Sequence, residues 1–194
     1  MTIQDRIMRV QEFLGLAQGK AQSPEDKELL LTAIDALQFI WRNGQVYEFE
    51  EYSQDQDANA PARIIAAFDT LEEAQAWLKA RPIPPDMAHV LIANEYHIVI
   101  SSADRQKRYL PPSATLAYHI AEMTRDGLPP AVAHFTTREG AWDWFKAQAA
   151  PPLQSVIQIG GEHYLAVYYR NIQHRALFPF SVVDMLKRIS PPAP

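Results

Sequence analysis

The feature that most constrains this chain is an internal duplication. A shift of 67 positions lays residues 66–112 over residues 133–179 without a gap, and 16 of those 47 positions are identical. Self-similarity at a fixed period means that one supersecondary unit is used twice. AFDTLEEAQAWLKARPIPP lies over HFTTREGAWDWFKAQAAPP, HVLIANEYHIVI over VIQIGGEHYLAV, and QKRYLPP over QHRALFP.

Both copies carry the same local signals. A short apolar strand comes first, at 64–68 and again at 132–135. Asp69 with Glu72, and Thr136 with Glu139, form a helix-start signature. Ala74, Trp77 and Leu78, matched by Ala141, Trp144 and Phe145, supply that helix with a buried face, and Pro84 and Pro85, or Pro151 and Pro152, forbid its continuation. A hairpin follows, 90–92 with 98–100 and 156–159 with 165–168, turning at Asn94-Glu95 and Gly160-Gly161. Ser113 opens a second helix with Leu116, Ile120 and Met123 on one side. Ser181 precedes its equivalent, with Val183, Met185, Leu186 and Ile189. The unit is β-α-β-β-α, twice. Three strands bury little alone, so the expectation is an α+β fold, as one composite sheet or two sheets packed about a pseudo-two-fold axis.

The first sixty residues are different material. They hold 11 acids against 5 bases, whereas residues 61–194 hold 12 against 13, so the net charge of −5 belongs to the N-terminal third. Ile3, Ile7, Val10 and Leu14 recur at helical spacing behind a Thr2/Asp5 capping box, with Gly15 and Gly19 as the expected stop. Ser23, Pro24, Glu25 and Asp26 start a second helix, whose face is Leu30, Ala33, Ile34, Leu37 and Trp41 and which ends at Asn43-Gly44. Two such stripes make no core by themselves and are expected to lie against the rest of the chain. The predicted organisation is residues 1–60 as a helical hairpin plus acidic segment, 61–127 as repeat 1 and 128–194 as repeat 2.

Composition narrows the function. With no cysteine, disulfide scaffolds, thiol nucleophiles, iron–sulfur clusters and cysteine-ligated zinc are excluded. MTIQDRIMRV lacks the unbroken apolar core of a signal peptide, and no stretch reaches the roughly 18–20 apolar residues of a membrane span. The expectation is a soluble cytoplasmic protein. A charge of +1 over residues 61–194 does not support a nucleic-acid footprint.

Three sets of residues could carry function. The histidines His97 and His163 follow Glu95 and Glu162, but as Glu-Tyr-His in one copy and Glu-His-Tyr in the other. Side-chain direction in a strand has period two, so the swap puts the imidazoles on opposite faces; His174 is the third candidate for a metal-dependent or acid–base site between the copies. No metal, cofactor or catalytic set is predicted. The basic segments 104–108 and 170–175 are either anion grips or solvated loops in which Arg108 and Arg175 make matching structural hydrogen bonds. Among the aromatics, Phe68, Trp77, Phe135 and Trp144 recur and read as core, while Trp142, Tyr168 and Tyr169 lack counterparts and are candidates for an interface.

The acidic stretch YEFEEYSQDQD holds five acids, three aromatics and no base. It is either a solvated linker or a docking surface for a basic partner, formed by Tyr47, Glu48, Phe49, Glu50, Glu51, Tyr52, Asp55 and Asp57.

The duplicated Phe68-x-Thr70-x-Glu72-x-Ala74-x-x-Trp77, with Ile92-x-x-Glu95 and the closing His174-Arg175-x-Leu177-x-Pro179, resembles a family of small bacterial proteins. Their genes lie beside secreted or lipoprotein toxins, often nucleases, exchanged between kin cells. The resemblance implies a cytoplasmic, non-enzymatic immunity protein that binds and occludes a cognate toxin, with no cofactor. The opening Phe-x-Thr-x-x-Glu-Ala is also similar to that of peptidoglycan-binding SPOR repeats, whose unit is shorter. A small-ligand or metal-dependent enzyme and a scaffold for dimerisation are the two other functions weighed.

Overall fold

The computed structural model describes residues 1–57, 59–83, 85–104 and 106–189, the side chains of Asp57 and residues 187–189 excepted. Pro84, Arg105 and the side chains of Asp57 and Ile189, which the sequence argument uses, therefore lie outside the described residues. The fold is α+β and divides into two compact units, Met1–Ala58 and Asn59–Pro194. Among the described residues no helix is long and apolar enough to cross a membrane.

The first unit consists of three helices, α1 (Ile3–Lys20), α2 (Pro24–Arg42) and α3 (Val46–Asp57). The Thr2 hydroxyl accepts from the Asp5 amide while the Asp5 carboxylate accepts from the Thr2 amide, so two orphan donors are satisfied reciprocally. Ser23 accepts from the amides of Glu25 and Asp26, and Pro24 occupies the first turn of α2. After α2, Gly44 takes φ +70°, and α3 begins within two residues.

Two expectations fail in this unit. Helix α1 does not stop at Gly15 or Gly19 but runs through both to Lys20. A helical glycine costs about 1 kcal/mol, which the capping box and the burial of Ile3 and Ile7 offset. More consequentially, the acidic stretch is not a linker: it is α3. Val46 is buried and Phe49 packs beside it, closing a small core with Ile3, Ile7 and Leu37. The dense carboxylates hid the period, because Val46, Phe49 and Ser53 are one helical face.

The second unit holds the sheets. Strand β1 (Ile64–Phe68) pairs parallel with β2 (His89–Ile92) across helix α4 (Leu71–Lys79), and β2 pairs antiparallel with β3 (Glu95–Ile98). The chain continues through β4 (Ile100–Ser101), which pairs with β5 (Arg108–Tyr109), and then enters α5 (Thr115–Met123). The later residues form β6 (His134–Phe135), α6 (Arg138–Ala147), β7 (Gln154–Ile159), β8 (Glu162–Tyr169) and β9 (His174–Pro179), in the order β6-β7-β8-β9. A 3-10 turn, Phe180–Val183, then leads into α7 (Asp184–Ile189).

The registers are related by arithmetic. Adding 67 to Ala67↔Leu91, Phe68↔Ile92 and all four pairs of β2–β3 gives pairs of β6–β7 and β7–β8. The same shift carries Ile100↔Tyr109, Ser101↔Arg108 and the bridge His97↔Pro112 onto pairs of β8–β9. The first sheet has the three strands expected, β1-β2-β3, with β4 and β5 as a separate two-stranded ladder, whereas the second has a fourth strand, β9. The segments read as basic loops run into strands, at Arg108 in β5 and at His174 and Arg175 in β9, beyond which Ala176 and Phe178 face one way and Leu177 the other.

Three apolar clusters explain the layering. Ile64, Leu91 and Tyr96 from the first sheet meet Val156, Leu165, Val167, Tyr169 and Phe178 from the second, with Leu116 and Ile120 of α5. The opposite face of the first sheet is covered by Ala74 and Leu78 of α4, and that of the second by Ala141 and Phe145 of α6. Two sheets therefore pack face to face, each with a helix on its outer side, and α5 packs on the Phe180–Val183 turn and α7.

Small details correct the sequence reading by one residue. The helix caps are Thr70, with Glu73 completing the capping box, and Thr137, which accepts from the Gly140 amide; they are not Asp69/Glu72 and Thr136/Glu139. The first hairpin turns at Ala93 and Asn94, with φ +48° and +69°, and the second at Gly160 and Gly161, with φ +58° and +90°. Glu95 and Glu162 open the next strands, paired with Ile92 and Ile159.

Candidate functional site

Helix α3 places the candidate partner-binding residues. At 100° per residue, Tyr47, Glu48, Glu51, Tyr52 and Asp55 fall on the side opposite Val46. Tyr47 is 69% exposed and Tyr52 45%, and Glu48 is exposed beside them. Glu50, Glu51 and Asp55 are half-buried, and Phe49 packs into the helical core instead of joining the surface. The helix carries an acid in its first turn and no base in its last. Glu48/Glu51 and Glu51/Asp55 stand three and four residues apart, a like-charge spacing that costs about 0.2–0.5 kcal/mol per pair. Asp55 also lies in the last turn, at the negative end of the helix dipole.

The three histidines proposed for chemistry sit in different surroundings. His97 is buried on the α4 side of its sheet, paired with Val90, and its Nδ1 lies 3.2 Å from the Glu95 carbonyl oxygen. His163 is on the face between the sheets, its ring 5.8 Å from that of Phe180. His174 is stacked at 6.3 Å on Tyr169. Burial pushes the His174 imidazole below its usual range, against the opposing pull of Asp69. With Phe68, Asp69, Glu73 and Asn94 it lines an open cavity of about 420 Å³ at the amino end of α4. Among the described residues no group of three or more His, Asp or Glu is arranged to hold a metal ion.

Arg108 and Arg175 make matching structural bonds. Arg108 donates to the carbonyl of Leu78 in the last turn of α4 and to those of Arg81 and Pro82 beyond it, and Arg175 donates to Gln148, the residue after α6. Each guanidinium thereby ties down the chain at a helix C-terminus. The aromatics offered as free are not free: Tyr169 is 4% exposed, and Trp142 and Tyr168 pack half-buried on α6 and β8.

The sequence reading missed a buried tyrosine pair. Tyr96 donates to the Ala62 carbonyl at 2.8 Å and meets the Tyr169 hydroxyl at 2.5 Å, in the core between the sheets. Desolvation raises both phenols well above their ordinary value. Nothing in the local sequence marks them, because one comes from β3 and the other from β8.

Compared with known proteins, the chain matches no family model, no curated protein and no solved structure.

Proposed function

We propose that this chain is a non-enzymatic immunity protein that binds a cognate bacterial toxin, a nuclease among the candidates, in the cytoplasm and occludes it. The observation that carries the reading is α3. It is an acidic helix with exposed Tyr47, Glu48 and Tyr52, held on a helical unit distinct from the sheets. Aromatic side chains give contact area at low entropic cost, and an acidic surface accelerates encounter with a basic one. The resemblance carried by the duplicated motif supports the same reading. We further infer that residues 61–127 and 128–194 are tandem copies of one unit about a pseudo-two-fold axis, a reading supported by the shared register offset.

The test is purification together with the product of the adjacent gene. A stable complex and protection of cells expressing that product are expected; neither appearing would overturn the proposal. Within the complex, Glu48→Lys and the double change Tyr47→Ala, Tyr52→Ala should each weaken binding about tenfold or more, Glu48→Lys mainly through the association rate and its salt dependence. Unchanged affinity in both would move the interface off α3 while leaving immunity standing.

A further inference from the structure

The two halves of the sheet unit differ in how one slot is filled. In the second half, α6 and β8 enclose Trp142, Phe145 and Tyr168. Lys146 Nζ lies 5.7 Å from the centre of the Trp142 ring, and the Arg175 guanidinium 4.9 Å from that of Tyr168. Moving back 67 positions, Lys79, Gln106, Arg108 and Leu110 are the same residue types as Lys146, Gln173, Arg175 and Leu177. The aromatics are not kept: Gln75, Leu78 and Ser101 stand where Trp142, Phe145 and Tyr168 would be.

Beside Gln75 and Leu78 lies an open groove of about 620 Å³ between α4 and β5, with Lys79, Arg108 and Tyr109 also in its lining and, among the described residues that line it, no carboxylate. Arg108 is fixed by its bonds to the carbonyls of Leu78 and Arg81, so its guanidinium plane is held in place before anything binds. Ser101, paired with Arg108, has a buried hydroxyl without a hydrogen-bond partner among the described residues.

We propose that this groove binds a planar aromatic ring bearing a carboxylate, with the ring where the Trp142 side chain lies in the other half. The second half is the internal template. A lysine and an arginine are retained in both halves, and where rings are present those cations lie over ring faces, a contact that strengthens as it is desolvated. In the groove the same two cations have no ring at the positions equivalent to Trp142 and Tyr168, where Gln75 and Ser101 stand, and their charge favours an anionic substituent. This site is independent of α3 and of toxin binding.

The full-length protein is titrated with indole-3-acetate and followed by amide chemical shifts and by melting temperature. Saturable shifts at Gln75, Lys79 and 106–110, with none at 142–146, are expected. Tryptamine, with the same ring and opposite charge, and cyclohexylacetate, with the charge and no aromatic ring, should each bind about tenfold more weakly, the size of one such contact. The double variant Gln75→Trp, Ser101→Tyr refills the slot from within and should raise the melting temperature while abolishing the titration. Should that variant not fold, Lys79→Glu, an exposed change, should weaken binding about tenfold without altering the melting temperature. Absence of saturable shifts at millimolar indole-3-acetate, equal binding of cyclohexylacetate, or undiminished binding by the refilled or Lys79 variant would overturn the proposal.

Discussion

The half of the sheet unit built on β1 to β5 and the half built on β6 to β9 pair their strands in registers offset by 67 positions and differ in their filling. Thr70 and Thr137 cap equivalent helices, Phe68–Trp77 and Phe135–Trp144 ring pairs lie at 5.3 and 5.4 Å, and both hairpins turn through two residues of positive φ. What changes is side-chain volume. Trp142, Phe145 and Tyr168 fill the second half, whereas Gln75 and Leu78 line a groove in the first. The lesson is that the cap and turn residues coincide at matched positions, whereas the side-chain volume behind them does not.

The largest expected effect tests that contrast directly. Phe145 is 2% exposed and wedged beneath Trp142 and Trp144, so Phe145→Ala should destabilise the protein by about 3–5 kcal/mol. Leu78 is just as buried but borders the groove, so Leu78→Ala should cost less, about 2 kcal/mol, because less enclosed cavity is left behind. Equilibrium denaturation of both variants measures the difference, and equal losses would contradict the view that only the second half is filled.

The tyrosine pair breaks the symmetry and comes next in size. His163 occupies the position equivalent to Tyr96, and Ser102 the position equivalent to Tyr169, so the pair joins the halves in one direction only. Tyr96→Phe leaves the Ala62 carbonyl and the Tyr169 hydroxyl without their partner in the core and should cost about 1–3 kcal/mol. The sign of the pH effect follows from the raised phenols. Folding favours their neutral forms, so that contribution is complete below the unfolded value near 10 and is lost as pH rises above it. Stability of the native protein should therefore fall above about pH 10, and the fall should be shallower in the Tyr96→Phe protein. Parallel curves would show that the pair does not carry the alkaline sensitivity.

The arginine clamps give a smaller difference. Arg108 serves three carbonyls and Arg175 serves Gln148 while stacking on Phe145 and Tyr168. Arg108→Met should cost about 1.5–3 kcal/mol, the range for hydrogen bonds to a charged group. Arg175→Met, which keeps the packing over the rings, should cost about 1 kcal/mol. Thermal melts of the two variants would settle the order, and a larger loss at Arg175 would mean that the stack outweighs the carbonyls.

Much of this architecture was legible because local signals agreed with the fold. The Thr2 and Ser23 caps, Pro24 and Gly44 are short-range chemistry and sit where expected. The separation of His97 from His163 onto opposite sheet faces follows from their swapped order and the period of a strand. Three things were not legible. Helix α3 was masked by carboxylates at five of its twelve positions, so its two core residues, Val46 and Phe49, did not stand out. Strand β9 was masked by His174, which stacks on Tyr169, and by Arg175, which donates to the Gln148 carbonyl. The groove beside Lys79 needed the structure, because a missing side chain becomes a site only when its neighbours are known to line it.

The smallest effect gives the most direct test of whether the two hairpins are one turn. Ala93 and Gly160 are 67 positions apart, with φ of +48° and +58°. An L-residue with a Cβ pays roughly 1–2 kcal/mol there, and a glycine pays about 0.5–1 kcal/mol in lost chain entropy. The entropy cost offsets about half of the strain, and the residual favours glycine. Ala93→Gly should thus stabilise the protein by about 0.5–1 kcal/mol. Gly160→Ala should destabilise it by a similar amount, since a Cβ at Gly160 would stand 3.9 Å from the Thr136 carbonyl oxygen and meet no clash. Without steric conflict at Gly160, the loss would report on backbone conformation alone. Denaturant midpoints of the two single variants and of the exchange carrying both should therefore move up, down and almost not at all; two shifts of the same sign would mean that the hairpins, for all their shared register, hold different turns.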